Sequence, residues 1–139
     1  MPSELNLQTQ IIKDAKGQMT NVFAMKMSNH FLSGIPDLVI KLPTHDILFV
    51  EVKKGETDNT GMVVVKTTPL QRQIMRSMEE SGMRVEVWVI IETDAGPAML
   101  RTVPEATRVV CNITKLPIRK RGIGWPIEDF LNNPVRNVK

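Results

Sequence analysis

The hydrophobic positions of this chain follow two periods, one typical of helices and one typical of strands. Two segments carry apolar residues three or four positions apart and predict helices: residues 3–16 and 68–82. The second has the clearer start, because Thr68 can cap it, Pro69 suits its first turn and Gln71 completes a capping box. Residues 126–132 predict a short third helix.

The other apolar runs predict strands, which we place at residues 21–27, 37–42, 47–53 and 84–92. A turn signal at residues 43–46 joins the second and third of these into a hairpin. Residues 54–67 begin polar and glycine-rich and predict a loop, whereas residues 100–103 and 109–113 predict two further short strands. The order of elements predicts an α/β fold with a central mixed β-sheet, helices on both faces and a right-handed parallel pair across the second helix.

The composition limits the classes of protein to which this chain can belong. A length of 139 residues predicts one domain, and 42% hydrophobic with 24% charged residues is typical of a folded, water-soluble chain. A single cysteine excludes an intramolecular disulfide, and with only two histidines a structural zinc site is not expected. The sequence predicts neither a membrane span nor a signal peptide, so we expect a protein of the reducing cytoplasm with no membrane partner.

Charge is distributed unevenly along the chain. Residues 115–139 carry six Lys or Arg against two Asp or Glu, whereas residues 1–114 carry 12 against 13. A basic segment after a neutral body predicts a polyanionic partner, and a solvated surface loop is the alternative. Aromatic residues make up only 4%, so nucleic-acid contacts would be mainly to phosphates and not to stacked bases. Trp125 lies beside the basic run, either as a packing anchor or as a wedge against DNA.

Two carboxylates converge on the predicted hairpin. The short turn sets a register that places Asp37 opposite Glu51. Because like charges at one cross-strand position repel, this pairing indicates a cation between them. Two carboxylates with backbone carbonyls form an oxygen-only site that suits Mg²⁺ or Mn²⁺. Lys53 lies on the same face as Glu51 and could hold a water or neutralise charge on phosphate; a structural Glu–Lys pair at the sheet rim is the alternative.

These residues match a known family pattern. GIPDLVI at residues 34–40, followed by FVEVKKG at residues 49–55, resembles the PD-(D/E)XK nuclease superfamily. The order of elements around them, including the helix that opens with Thr68-x-x-Gln71, looks like its VRR-NUC branch and is similar to archaeal Holliday-junction resolvases. The resemblance covers residues 3–92 and implies a restriction-endonuclease-like core.

The resemblance implies that Asp37 and Glu51 bind the catalytic divalent metal and that Lys53 serves the attacking water. On this hypothesis the Val52 carbonyl is a further metal ligand. Glu4 would be another metal or water ligand, although a first-turn glutamate is also favoured by the helix dipole alone.

Other residues near the motif have two interpretations each. The resemblance makes Gln71 part of the active-site lining, whereas a capping box explains it without catalysis. Lys54 and Lys66 could contact backbone phosphates or could be ordinary solvated lysines. His30, in the loop before the motif, could be catalytic or a polar loop residue.

We therefore expect a divalent-metal-dependent DNA endonuclease, structure-selective for branched or junction DNA. Residues 1–94 would form the nuclease core and residues 95–139 a basic extension packed on the same domain. The DNA contacts of this extension are assigned to its basic residues: Lys115, Arg119, Lys120 and Arg121. Two symmetric cuts favour a homodimer. The alternatives are a catalytically silent nucleic-acid-binding module of this fold, a sequence-specific restriction-type endonuclease and a small interaction protein.

Overall fold

The computed structural model describes residues 3–27 and 34–132. Its elements in chain order are α1 (Glu4–Gln18), β1 (Phe23–Lys26), β2 (Leu38–Lys41), β3 (Ile47–Thr57), β4 (Val63–Val64), α2 (Pro69–Glu80), β5 (Arg84–Thr93), β6 (Gly96–Thr102), β7 (Arg108–Val109), a 3₁₀ turn (Ile113–Lys115) and α3 (Ile127–Asn132). None of the helices in these residues is long and apolar enough to cross a membrane.

The main sheet has the strand order β1-β2-β3-β5-β6. β3 and β5 are parallel and are connected through α2, while the other neighbours in this order are antiparallel. The far end of β3 also pairs with β4, and β4 pairs with β7. This arrangement confirms the mixed sheet, the flanking helices and the parallel pair that the sequence predicts.

The sheet separates two hydrophobic cores. On one face, α1 and α3 pack Leu7, Ile11 and Phe130 against the sheet, and the ring of Phe130 meets Trp88 edge-on with centroids 4.9 Å apart. Met75 of α2 belongs to the core of the opposite face. Alternate side chains of β3 therefore enter different cores, and its odd-numbered positions face α2.

Residues 96–132 contribute to both cores. β6 extends the sheet beside β5, and Ala98, Leu100 and Val109 join the core on the α2 side. Trp125 and Ile127 are fully buried in the core beneath α1. Of the two interpretations of Trp125, the structure supports the packing anchor.

A buried ion pair ties β6 to β5 and α3. The guanidinium of Arg101 contacts both carboxylate oxygens of Glu86, with Nε 2.7 Å from Oε1. The indole Nε1 of Trp88 donates to the same Oε1 at 3.1 Å, and Arg101 Nη1 donates to the carbonyl of Leu131 at 2.7 Å. These bonds satisfy charges that would otherwise be costly to bury.

Three predicted boundaries were wrong. β3 continues through residues 54–57, which we expected to be loop, because pairing with β5 and β4 overrides their polar composition. A Cβ at Gly55 would lie 2.4 Å from Val89, so only glycine lets the strands pack so closely there. β6 begins at Gly96, directly after the turn that follows β5. The strand expected at residues 109–113 ends with β7 at Val109.

Candidate active site

The β2–β3 hairpin brings the two motif carboxylates together. The amide N–H of Leu42 donates to the Asp46 carbonyl at 2.8 Å, and Leu38 pairs with Val50. This register places Asp37 opposite Glu51, as the turn length predicts. Asp37 directly precedes β2, so the strand positions its backbone. Its carboxylate is held by the hydrogen bond that it accepts from the Val52 N–H.

The edge of β3 that faces β2 and β4 is left open in its middle. Among the described residues, β2 pairs with residues 47–50 and β4 with residues 56–57. Two carboxylates accept the backbone N–H groups that this gap leaves without a strand partner. Asp37 Oδ2 accepts the Val52 N–H and Glu4 Oε2 accepts the Lys54 N–H, each at 2.9 Å. Because the N–H and C=O of a strand residue point to the same edge, the Val52 carbonyl also faces this gap.

Glu51 lies in the centre of the site and is 2% exposed. Its Oε2 is 3.5 Å from the ammonium of Lys53 and accepts a 3.0 Å hydrogen bond from Gln71 Nε2. Its Oε1 is buried and has no hydrogen-bond partner among the described residues. A buried carboxylate oxygen without a partner is costly unless it carries a proton or binds a cation.

Gln71 satisfies both interpretations of its role. Its Oε1 accepts the Thr68 N–H at 2.9 Å, and the Thr68 hydroxyl accepts the Gln71 N–H at 3.1 Å, which is a complete capping box. With the amide oxygen held in this way, Nε2 is directed at Glu51. The start of α2 therefore orients the buried carboxylate.

Burial and mutual repulsion raise the pKa values of Glu51 and Asp37. Burial, and then the charge of Asp37, raise the pKa of Glu51 from its ordinary 4.5 to about 8, against the opposing effect of Lys53. Burial likewise raises the pKa of Asp37, while the Val52 N–H and Lys53 oppose the rise. The charge of Glu4 further raises the pKa of both groups, so Glu4 lies at the margin of the same site.

The donor set fits a hard divalent cation. Asp37, the unpartnered oxygen of Glu51 and the Val52 carbonyl supply oxygen ligands, which Mg²⁺ and Mn²⁺ prefer. Within residues 3–27 and 34–132, no three Asp, Glu, His or Cys side chains are grouped so as to hold a metal by themselves. Mg²⁺ characteristically keeps several waters, so two carboxylates are a sufficient protein contribution.

The residues predicted to contact DNA differ in the exposure of their side chains. Lys54, Lys66, Lys115, Lys120 and Arg121 are exposed. His30 lies outside the described residues.

Arg119 is placed differently from the other predicted DNA contacts. Its Nε and Nη2 donate to the carboxylate of Asp14 at 3.1 and 3.2 Å, and its guanidinium lies 5.5 Å from the Trp125 ring centre. The basic run predicts a phosphate contact for Arg119, with a solvated side chain as the alternative, but in the structure this arginine packs the extension on α1. We therefore remove Arg119 from the proposed phosphate contacts.

Sequence reasoning missed Asp14. This residue is buried on α1 and also accepts the Trp125 N–H at 2.9 Å. A signal was available, because Asp14 follows Ile11 by three positions and so shares the buried stripe of the helix. An acidic residue on such a stripe indicates a buried partner.

Comparison with known proteins identifies the family. The profile of the VRR-NUC domain matches residues 3–89, well over half of the chain. The chain belongs to the VRR-NUC family. It is therefore a nuclease by family, a hydrolase that acts on DNA, and the resemblance seen in its sequence is confirmed.

Two solved structures illustrate the similarity. A VRR-NUC domain is 30% identical in sequence, with a TM-score of 0.47 over 62% of this chain and 82% of the other. The Holliday junction resolvase Hjc of Archaeoglobus fulgidus is 15% identical, with a TM-score of 0.44 over 70% of this chain and 72% of the other. No curated protein matches the sequence significantly.

Proposed function

We propose that this VRR-NUC protein is a divalent-metal-dependent DNA endonuclease whose active site is formed by Asp37, Glu51 and Lys53. The observation that carries the proposal is the buried Oε1 of Glu51, which has no hydrogen-bond partner among the described residues, in a side chain that lies opposite Asp37 and pairs through its other oxygen with the Lys53 ammonium. A structural Glu–Lys pair would not require a second carboxylate at the same position. A cation between the carboxylates accounts for all three residues.

In this proposal Asp37, Glu51 and the Val52 carbonyl hold Mg²⁺ or Mn²⁺, which when bound supplies Lewis-acid stabilisation and a more acidic water. Lys53 carries only donors, so it orients a water through its lone pairs or neutralises charge on a phosphate oxygen. Gln71 fixes one oxygen of Glu51 and leaves the other free. Glu4 and Asp37 hold the backbone of β3 in place at the open edge.

The proposed substrate is branched or junction DNA, recognised by shape. Lys54, Lys66 and the basic residues of the extension can bind phosphates, and such contacts position a duplex without specifying its bases. Paired cuts in two strands of a junction require two active sites, so we propose a two-fold homodimer as the acting form.

The deciding experiment compares cleavage of supercoiled plasmid, linear duplex, flap and four-way DNA in Mg²⁺, Mn²⁺ and EDTA. The variants are Asp37→Asn and Glu51→Gln, with Glu56→Gln as the matched control because Glu56 is an exposed acid on the same strand. We expect cleavage only with metal, a preference for branched DNA, and loss of at least about 10³-fold activity in the first two variants. Full cleavage in EDTA, or by Glu51→Gln, would exclude this mechanism, and DNA binding by a wild-type protein that never cleaves would favour the silent module.

A further inference from the structure

A short basic turn projects from the C-terminal extension. We define the basic turn as residues 120–124. It is closed by hydrogen bonds from the N–H groups of Gly124 and Ile123 to the Lys120 carbonyl, at 2.7 and 3.1 Å. Gly122 and Gly124 have φ values of 81° and 91°, a conformation that favours glycine. Ile123 is 71% exposed, the highest value among the large exposed hydrophobic side chains of the described residues.

The base of the basic turn is held rigidly on α1. Asp14 accepts hydrogen bonds from Arg119 on one side of the turn and from the Trp125 N–H on the other. Gln18 donates to the Trp125 carbonyl. A Cβ at Gly124 would lie 2.4 Å from the Asp14 carboxyl group, so the turn and the helix are in close contact. These contacts fix the base of the turn, which lowers the entropy lost when the turn binds a partner.

The tip combines an apolar side chain with two cations. Ile123 belongs to the same five-residue turn as Lys120 and Arg121, and all three side chains are exposed. Single exposed hydrophobic residues are common and need no explanation by themselves. Here, however, the side chain belongs to a turn whose base is anchored on α1 and that also carries two exposed cations suited to phosphates. Proteins that bind the minor groove use such apolar wedges between base steps, together with Lys and Arg.

We propose that the basic turn is a DNA wedge, in which Ile123 enters the minor groove and partly unstacks a base step while Lys120 and Arg121 contact the flanking phosphates. This inference rests on the proposed function, because it takes DNA as the substrate. A membrane is the poorer partner, since interfacial binding requires a whole apolar face and not one side chain.

The position of the basic turn suits a duplex bound at the active site. α1 connects the two places: Glu4 at its start binds the open edge of β3, and Asp14 holds the turn. Ten residues of helix separate them, which is about 15 Å along the axis. Half a turn of B-form DNA is about 17 Å long, so this separation along the helix is within the span of one short duplex. The wedge would then favour sites where bases unstack easily, as at a branch point.

The test measures base unstacking in EDTA, where DNA is bound and not cut. Duplex and four-way DNA carrying 2-aminopurine at successive positions should brighten on binding wild-type protein. Ile123→Ala should abolish the rise and weaken binding about five- to tenfold, in proportion to the apolar surface lost, while Ile123→Met should retain most of both. Val110→Ala is the matched control, because Val110 is also in the extension and is 54% exposed.

The charged residues give an independent readout. Changing both Lys120 and Arg121 to Ala should weaken binding and reduce the slope of log affinity against log salt by up to about 1.8, with the fluorescence rise still reached at saturation. No rise with wild-type protein, or an Ile123→Ala variant that behaves like Val110→Ala, would overturn the wedge. Failure of the proposed function is seen separately, as absence of metal-dependent cleavage by wild-type protein in Mg²⁺.

Discussion

Replacing Glu51 with glutamine should stabilise the metal-free protein at alkaline pH. Burial and the charge of Asp37 raise the pKa of Glu51 from 4.5 to about 8. The folded state therefore binds this proton more tightly than the unfolded chain does. The sign follows from proton linkage: the stability of wild-type protein falls as pH rises from about 4.5 to about 8, and this loss is complete above that range.

The size of the effect is bounded by the pKa. A tenfold change in proton affinity corresponds to about 1.4 kcal/mol, so the displacement sets a ceiling of about 4–5 kcal/mol. Glutamine keeps an acceptor for Gln71 and offers an amide donor to Asp37, but it loses the ion pair with Lys53. We expect a net gain of about 1–3 kcal/mol at pH 8.5 and little difference near pH 4.5.

Urea denaturation in EDTA at pH 5 and pH 8.5 measures this gain, with Glu56→Gln as the control for removing an exposed acid from the same strand. Mg²⁺ should then stabilise the wild-type protein and not Glu51→Gln. Equal stability of wild type and Glu51→Gln at pH 8.5, or curves that stay parallel at the two pH values, would refute the view that Glu51 is a strained buried acid.

Three further changes test other parts of the structure. Lys53→Ala should slow cleavage by about 10²-fold or more while Mg²⁺ still raises the melting temperature, because Lys53 acts on water or phosphate and does not bind the metal. Lys41→Ala is the control. Loss of metal binding in Lys53→Ala would instead show that Lys53 has a structural role. Gln71→Ala removes the side-chain acceptor of the Thr68 N–H, which is one half of the capping box, together with the contact to Glu51. Urea denaturation should therefore show a loss of about 1–2 kcal/mol and cleavage should fall, whereas a change in only one of these would separate the two roles. Arg101→Ala removes the closest cation from the buried Glu86, which keeps the Trp88 N–H and the more distant Arg84. It should cost about 3–5 kcal/mol in the same assay, and a loss below about 1 kcal/mol would contradict the buried pair.

Local signals made the centre of the site predictable. The turn between β2 and β3 fixes the hairpin register, and the register alone places Asp37 opposite Glu51. The capping box of α2 is formed by residues only three positions apart, so the start of that helix is also predictable from the sequence. The contact from Gln71 to Glu51 depends on how α2 packs on the sheet, and for that the family resemblance was needed.

Contacts between distant parts of the chain were not predictable. Glu4 and the amide of Lys54 are 50 residues apart, and their bond depends on how α1 crosses the edge of β3. Asp14 and Arg119 are 105 residues apart, so the sequence did not reveal that the basic run, predicted to contact phosphates, contains a packing residue. The polar end of β3 became a strand because β4 and β5 pair with it. In each case tertiary packing decided what local composition could not.

Calorimetric titration of Mn²⁺ into the wild-type protein, Asp37→Asn and Glu51→Gln tests the central claim most directly, because it measures occupation of the site without requiring the right DNA substrate. If Asp37 and Glu51 together hold the metal, wild-type protein binds Mn²⁺ and each variant loses that binding, while Glu56→Gln binds as wild type does. Binding by Asp37→Asn and Glu51→Gln with wild-type affinity would contradict the account, since the metal would then lie elsewhere in the protein.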